Sequence, residues 1–177
     1  AMVGHCLDVR RFYKFNASDR VLQFFSLNFD PSVELILSTL MSGACLVLRG
    51  ETVWSATEMF QKIIRLGITV AYLPTAYWHQ LAHAAAGAED LLVNHRLRLV
   101  TCGGEVMMPE AVAAWQQTPL KSARLFNAYG PTEATVTTTT FEVRPPAPGQ
   151  SLPARIPIGR PLGNRKVYVL DKYLKPV

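Results

Sequence analysis

The 177-residue sequence predicts an α/β fold, with a mostly parallel sheet and helices on both of its faces. Short apolar runs of strand length alternate with longer segments whose apolar residues recur at helical spacing. Glycine or proline separates most of these segments. Parallel strands need a crossover between them, and the helical segments have the length to supply it.

In the first half of the chain, local sequence patterns predict each strand and helix of this fold. Strands are predicted at 21–26, 45–48 and 68–73. The helix at 31–43 starts with Pro31, which suits a first turn, and ends at Gly43. A second helix follows Ser55, because the spacing from Ser55 to Glu58 is that of a capping box.

The second half continues the alternation and then changes character. Helices are predicted at 75–86 and 109–117, strands at 96–101 and 125–129, and an extended, β-branched segment at 137–140. After residue 143 a proline-rich linker follows, and 166–171 is predicted to be an edge strand of a different layer. We therefore expect two units, residues 1–143 and residues 144–177.

Composition excludes several classes of protein. Apolar residues make up 49% and charged residues 18%, a balance typical of a globular protein and not of a disordered one. The net charge of +5 is scattered along the chain, which argues against nucleic-acid binding. There is no signal-peptide pattern and no apolar run long enough for a membrane span, so no membrane partner and a cytoplasmic location are expected. Three widely spaced cysteines predict neither a disulfide framework nor a metal site.

Three unusual segments follow predicted strands, at 29–32, 101–105 and 127–133. Ligands of open α/β sheets bind at the carboxyl ends of the strands, so these segments are expected to converge on one cleft. Gly103 and Gly104 would let the backbone approach a ligand closely. Alone they are weak support, because a Gly-Gly pair is usually only a turn.

The segment at 127–133 has the most residues suited to binding a ligand. Tyr129 offers a flat ring for a base, and Gly130-Pro131 predicts a turn. Thr132 and Glu133 then place a hydroxyl and a carboxylate side by side, a pair suited to phosphate and Mg²⁺. The alternative from the residues alone is a surface turn with a helix cap.

The segment NAYGPTE at 127–133 resembles the signature of the adenylate-forming superfamily, which includes nonribosomal peptide synthetase adenylation domains, acyl- and aryl-CoA ligases and luciferases. Three further segments are similar to family motifs and occur in the family's order: VLQFFSLNFDPSVE at 21–34, TCGGE at 101–105 and IPIGRPLGNRKVYVLD at 156–171. The resemblance implies a flavodoxin-like subdomain that holds the substrate pocket.

The resemblance also implies a nucleotide site for ATP and Mg²⁺. In the family, the tyrosine at 129 stacks near adenine, Thr132 meets the phosphates and Glu133 binds the metal, so Thr132 and Glu133 are the expected catalytic residues. The other expected nucleotide contacts are Gly103, Gly104, Glu105, Asn127 and Gly130.

An aspartate at position 30 binds the α-amino group of amino-acid substrates in the family, whereas members that activate simple acyl or aryl acids generally lack it. Asp30 is chemically also a good N-cap for the following helix, and both roles are compatible. By position in the motifs, the expected pocket residues are Asp30, Pro31, Glu34, Tyr72, Val100, Cys102, Ala128, Val136 and Thr137. The alternative for Val100 and Ala128 is plain core.

Glu34 suggests a basic substrate, such as ornithine, lysine or arginine. It lies one turn after Asp30, and two carboxylates in a small pocket would repel each other unless cations pair with both. Alternatively, the helix dipole stabilises Glu34 near the N-terminus, where it could turn to solvent and leave an apolar pocket.

The implied reaction joins a carboxylate to Mg·ATP, giving an aminoacyl-adenylate and pyrophosphate, and then transfers the acyl group to a carrier-protein thiol. The remainder of the adenylation domain would be a partner. The sequence lacks the family's phosphate loop ending in Pro-Lys-Gly, its Arg-Thr-Gly-Asp segment and its C-terminal lysine, so the 177 residues alone are expected to be inactive. The alternatives are a fragment of an aryl- or acyl-CoA ligase and a non-catalytic flavodoxin-like binding module.

Overall fold

A computed structural model describes residues 1–147 and 149–177, and Pro148, in the predicted linker, lies outside the described residues. The helices are α1 (Met2–Phe12), α2 (Pro31–Leu40), α3 (Ala56–Arg65), α4 (Thr75–Ala84), α5 (Glu89–Leu92) and α6 (Pro109–Gln116). The strands are β1 (Arg20–Gln23), β2 (Cys45–Leu48), β3 (Val70–Pro74), β4 (Leu99–Gly103), β5 (Arg124–Tyr129), β6 (Thr139–Val143) and β7 (Arg160–Pro161). Single turns of 3-10 helix lie at Ala85–Gly87, Pro119–Ser122 and Thr132–Ala134.

The strands form one sheet in the order β2-β1-β3-β4-β5-β6-β7. The four pairings among β1 to β5 are parallel, and β6 and β7 add two antiparallel pairings at one edge. The prediction of a mostly parallel α/β sheet is therefore confirmed. The segment predicted to be extended at 137–140 leads into β6.

Helices cover both faces of the sheet, and the strand residues alternate between two apolar clusters. Along β3, Val70 and Tyr72 pack with residues of α1 and α2, whereas Ala71 and Leu73 pack with residues of α3, α4 and α6. This alternation follows from the pleat of a strand, whose successive side chains point to opposite faces. It decides which strand residues can reach the α1–α2 side of the sheet.

The starts of α3 and α2 differ in whether a side chain caps the helix. At Ser55 the predicted capping box forms, since the hydroxyl accepts from the Glu58 N–H at 3.3 Å and the Glu58 carboxylate accepts from the Ser55 N–H at 2.8 Å. Asp30, in contrast, makes no side-chain cap bond at the start of α2. Its backbone is already helical, with φ −58° and ψ −27°, and an N-cap residue normally has an extended backbone.

The end of the chain differs from the prediction. Residues 166–171 do not form a strand, and only Leu170 makes an isolated bridge, to Pro176. The apolar side chains of Val167, Tyr168 and Val169 are exposed, because no strand among the described residues pairs with this segment. β7 joins the main sheet through β6, and the division of the chain at residue 143 stays a prediction. Among the described residues, no helix is both long and apolar enough to cross a membrane.

Candidate functional site

A cavity of about 270 Å³ opens at the carboxyl ends of β3, β4 and β5, on the side of the sheet that α1 and α2 cover. The loops after β1, β4 and β5 converge there, as predicted for ligand sites of open α/β sheets. Its walls are Phe25, Phe29, Asp30, Pro31, Tyr72, Leu73, Thr101, Gly103, Gly104, Ala128, Tyr129, Gly130, Pro131, Thr132, Val136 and Thr137. We call it the first cavity.

Three residues of the first cavity have polar atoms that are buried and have no hydrogen-bond partner among the described residues. These atoms are Asp30 Oδ2, Tyr72 OH and Thr101 Oγ1. Burial, and then the nearby Tyr13 and Glu34, raise the pKa of Tyr72 well above its usual value, so its hydroxyl stays neutral. Buried polar groups are normally paired, so this cavity is suited to a ligand that supplies the missing partners.

Asp30 is the one carboxylate in this set. Because its side chain does not cap α2, its Oδ2 has no competing bond to the helix backbone. It lies at the N-terminus of α2, where the helix dipole stabilises an ionised carboxylate. The Asp30 carboxylate can therefore accept a hydrogen bond from a cationic group of a ligand.

Most of the predicted ligand residues come together at the first cavity. They are Asp30, Pro31, Tyr72, Gly103, Gly104, Ala128, Tyr129, Gly130, Thr132, Val136 and Thr137. Ala128 thus lies in the cavity wall and not in plain core. The remaining predicted residues, Glu34, Val100, Cys102, Glu105, Asn127 and Glu133, do not line it.

Val100 and Cys102 were predicted as pocket walls, but neither lines the first cavity. Both are fully buried in the apolar cluster on the opposite face of the sheet, where burial raises the pKa of the Cys102 thiol well above its usual value. The pleat of β4 instead turns Thr101 and Gly103 toward the first cavity.

Glu34 lies outside the first cavity as well. Its side chain is fully buried and faces neither the cavity nor solvent. The helix phase turns it toward α1, where its Oε2 lies 2.6 Å from His5 Nε2 and accepts a bond of 3.3 Å from the Thr137 N–H. Its Oε2 therefore has partners within the fold, whereas its buried Oε1 has none among the described residues.

A second cavity of about 430 Å³ lies beside the first and shares Gly104, Ala128, Tyr129, Gly130 and Pro131 with it. Its other walls are Glu105, Val106, Met107, Asn127, Ile156 and Ile158. The ring of Tyr129 is half exposed between the two cavities, available for stacking against a flat ligand. The Asn127 amide donates to the Pro157 carbonyl at 2.9 Å, which holds the far wall in place.

Two glycines are required by close approaches of the backbone. A Cβ on Gly103 would lie 2.7 Å from the Ala128 carbonyl oxygen, and one on Gly130 would lie 1.8 Å from the Val136 carbonyl oxygen. No side chain fits at either position without a backbone shift. The segment after β5 therefore folds back tightly over Gly130.

The folded-back segment carries the hydroxyl and carboxylate of the motif. Thr132 and Glu133 lie in a 3-10 turn, Thr132 at the wall of the first cavity and Glu133 exposed outside both cavities. Thr135 and Val136 follow with φ of 66° and 63°, a left-handed backbone that costs about 1–3 kcal/mol for each residue without glycine's freedom. Contacts elsewhere must hold this segment in place.

The described residues contain no group of three or more acidic, histidine or cysteine side chains that could hold a metal on its own. A lone exposed carboxylate such as Glu133 fits Mg²⁺, because this ion keeps several waters and is held by one or two carboxylates together with the substrate's phosphates. A magnesium ion at Glu133 would need its further ligands from water and from a bound substrate.

Five wall residues were not among the predicted site residues, namely Phe25, Phe29, Leu73, Thr101 and Pro131. The rings of Phe25 and Phe29 meet edge to face at 5.5 Å and close one side of the first cavity. Thr101 could have been found by testing both faces of β4, whereas the positions of the phenylalanines depend on a loop.

Known proteins match this chain over most of its length. The family model described as "AMP-binding enzyme" matches residues 1–177. An isonitrile lipopeptide synthase of Streptomyces coeruleorubidus is 42% identical over 161 residues, which are 90% of this chain and 11% of that protein. Malpibaldin synthetase of Mortierella alpina is 37% identical over 163 residues, which are 91% of this chain and 3% of that protein.

Solved structures share the fold. A nonribosomal peptide synthetase protein with adenylation and PCP domains, bound to a vinylsulfonamide inhibitor, superposes with a TM-score of 0.78 at 26% identity, over 92% of this chain and 27% of that one. The N-terminal subdomain of Klebsiella oxytoca NpsA, in complex with 3-hydroxybenzoyl-AMSN, gives a TM-score of 0.79 at 21% identity, over 98% of this chain and 42% of that one. The chain thus spans less than half of each of these relatives.

Proposed function

Since the chain belongs to the AMP-binding enzyme family, we propose that it forms the substrate-binding part of an amino-acid adenylation domain. A carboxylate oxygen of the amino acid attacks the α-phosphorus of ATP, pyrophosphate leaves, and an aminoacyl-adenylate remains. The acyl group then passes to a carrier-protein thiol with release of AMP. Such a reaction depends on positioning and on charge stabilisation, and needs no nucleophile from these residues.

One observation carries the proposal for an amino acid. The Asp30 carboxylate lines the first cavity, and its buried Oδ2 has no partner among the described residues. An α-ammonium group would supply that partner through a charge-assisted hydrogen bond. An aryl or fatty acid without this group would leave the carboxylate unpaired, which is costly in a buried site. A CoA ligase for such acids is therefore the weaker interpretation.

The nucleotide is proposed to occupy the second cavity and the boundary between the two cavities. Its base would stack on Tyr129, with Asn127 and Glu105 in the surrounding wall. Gly103, Gly104 and Gly130 bring backbone close to the ligand, and Thr132 would meet the phosphates at the wall of the first cavity. Glu133 would hold Mg²⁺, which neutralises phosphate charge when it is bound.

The substrate's side chain would meet the other walls of the first cavity. Tyr72 and Thr101 offer two hydroxyls, and Val136 and Thr137 add a mixed surface. The hypothesis of a basic side chain loses its main support, because Glu34 is bonded to His5 and does not line the cavity. We instead propose a side chain with a hydrogen-bonding group.

The proposed partners are the remainder of the adenylation domain and a carrier protein. Support comes from the adenylation and PCP domains that occur together in the related solved structure. A cytoplasmic location remains a prediction.

The test is exchange of labelled pyrophosphate into ATP by the full-length protein, across a panel of amino acids and their deaminated analogues. The proposal expects exchange with one or a few amino acids, preferably ones with polar side chains, and little with the analogues. Exchange that is equal for an amino acid and its deaminated analogue would favour the acyl or aryl ligase. No exchange with any acid, together with no binding of ATP, would favour the non-catalytic module.

A further inference from the structure

We propose that His5 is a positioning residue that holds the segment 132–137 in its folded-back form, acting through Arg165 on one side and Glu34 on the other. This segment carries Thr132 and Glu133 and two walls of the first cavity. The link to turnover rests on the proposed function, whereas the positioning itself can be tested without it.

The backbone at Thr135 and Val136 needs support from outside its own segment. Thr135 and Val136 are both β-branched and both have a left-handed backbone, a rare pair of conformations for such residues. The 3-10 turn before them is a single turn of three residues. Local structure alone gives little to hold this backbone.

Hydrogen bonds to two side chains hold the backbone of this segment. The Arg165 guanidinium donates to the Thr135 carbonyl at 2.9 Å and to the Ala134 carbonyl at 3.4 Å. The Thr137 N–H donates to Glu34 Oε2 at 3.3 Å. Arg165 and Glu34 therefore hold the backbone groups on the two sides of Val136.

Arg165 and Glu34 both contact the imidazole of His5. Arg165 Nη2 lies 2.8 Å from His5 Nδ1, and Glu34 Oε2 lies 2.6 Å from His5 Nε2. A guanidinium only donates, so Nδ1 accepts and the ring proton is on Nε2, from which it is donated to Glu34. One imidazole in this tautomer thus bonds both Arg165 and the Oε2 of Glu34.

The core of the protein holds His5 and Glu34 rigidly. The side chains of His5 and Glu34 are almost fully buried between α1 and α2, so their positions are fixed by the core. Arg165 is only partly buried and comes from the far end of the chain. His5 thus connects the core to a surface arginine, and through it to the motif segment.

The main experiment is hydrogen–deuterium exchange of the full-length protein, following the peptide that covers residues 130–138. We compare wild type with His5→Phe, which keeps a ring and removes both bonds, and with His5→Gln, whose amide can accept from Arg165 and donate to Glu34. Loss of a bond to a charged group should speed amide exchange in this peptide roughly tenfold in His5→Phe. His5→Gln should retain most of the protection, and peptides from β3 and β4 should not change.

Arg165→Leu is the second variant, because His5→Phe leaves the Glu34 carboxylate buried without its partner and could unfold the core. It removes the guanidinium at a partly exposed position and should speed exchange in the same peptide. Wild-type protection of residues 130–138 in Arg165→Leu, with the core intact, would overturn the inference. Equal loss of protection in His5→Gln and His5→Phe would also overturn it, because an amide that makes both bonds would then support the segment no better than a ring that makes neither.

Kinetics separates this inference from the proposed function. If the protein adenylates an amino acid, His5→Phe and Arg165→Leu should lower kcat of pyrophosphate exchange roughly tenfold and change KM less, and His5→Gln should restore kcat. A lower fraction of folded enzyme would instead reduce the rate in proportion to the circular-dichroism signal. If wild type adenylates nothing, the proposed function fails, and the exchange pattern of residues 130–138 still decides the role of His5.

Discussion

Replacing Asp30 by asparagine removes one charge from the first cavity and almost no volume. The carboxylate lines the cavity, and its buried Oδ2 has no partner among the described residues. If an α-ammonium group is that partner, Asp30→Asn should weaken the enzyme only toward substrates that carry this group. Folding should change little, because Asp30 makes no side-chain cap bond to α2.

The magnitude follows from the kind of bond that is lost. A hydrogen bond to a charged group contributes about 1.5–3 kcal/mol. At 1.36 kcal/mol for each factor of ten, kcat/KM for the preferred amino acid should fall roughly 10- to 150-fold. The free energy of unfolding should stay within about 0.5 kcal/mol of wild type, as for substitutions that break no bond in the fold.

The assay is pyrophosphate exchange by the full-length protein with the preferred amino acid and with its deaminated analogue. Wild type should discriminate strongly between the two, and Asp30→Asn should lose most of that discrimination. Urea unfolding of both proteins is the control for stability. An Asp30→Asn enzyme that still prefers the amino acid by the wild-type factor would refute the assignment, as would an equal loss of kcat/KM with both acids.

Three further predictions concern other parts of the molecule. Glu133→Gln should lower kcat of exchange roughly 100-fold and leave the urea midpoint unchanged, because the residue is exposed and would serve only a bound cation; a wild-type rate would contradict this. Thr101→Val should raise KM for the amino acid about 2- to 13-fold with little effect on stability. Val100→Ala, on the other face of the sheet, should cost about 1–3 kcal/mol of stability with KM unchanged. The reverse pattern would show that Val100, and not Thr101, faces the cavity. Burial raises the pKa of Asp19, but hydrogen bonds from Arg98, Asn16 and Thr69 outweigh it and lower this pKa, so the carboxylate stabilises the fold at neutral pH and this contribution is lost as pH falls. Asp19→Asn should therefore lower stability more at about pH 7 than at about pH 3, and an equal loss in urea titrations at both would count against it.

The sequence by itself determined the order and type of most elements. Apolar periodicity, the Ser55–Glu58 pair and the proline at the start of α2 are local signals, and each element they predict is formed. The motif residues also converge on one edge of the sheet, because parallel strands end on the same side. The terminal strand at 166–171 failed because a strand needs a neighbour, which a segment's own sequence does not contain.

The tertiary structure decided which side chains of those elements face the ligand. A shift of one residue on β4 exchanges Val100 and Cys102 for Thr101 and Gly103, and only the packing of α1 and α2 on one face settles that choice. Glu34 is four residues from Asp30 in sequence, yet its environment comes from His5, 29 residues away, and the His5 ring also meets Arg165, 160 residues away. Spacing along a helix gives the direction of a carboxylate, whereas its partners come from distant parts of the chain that only folding brings together.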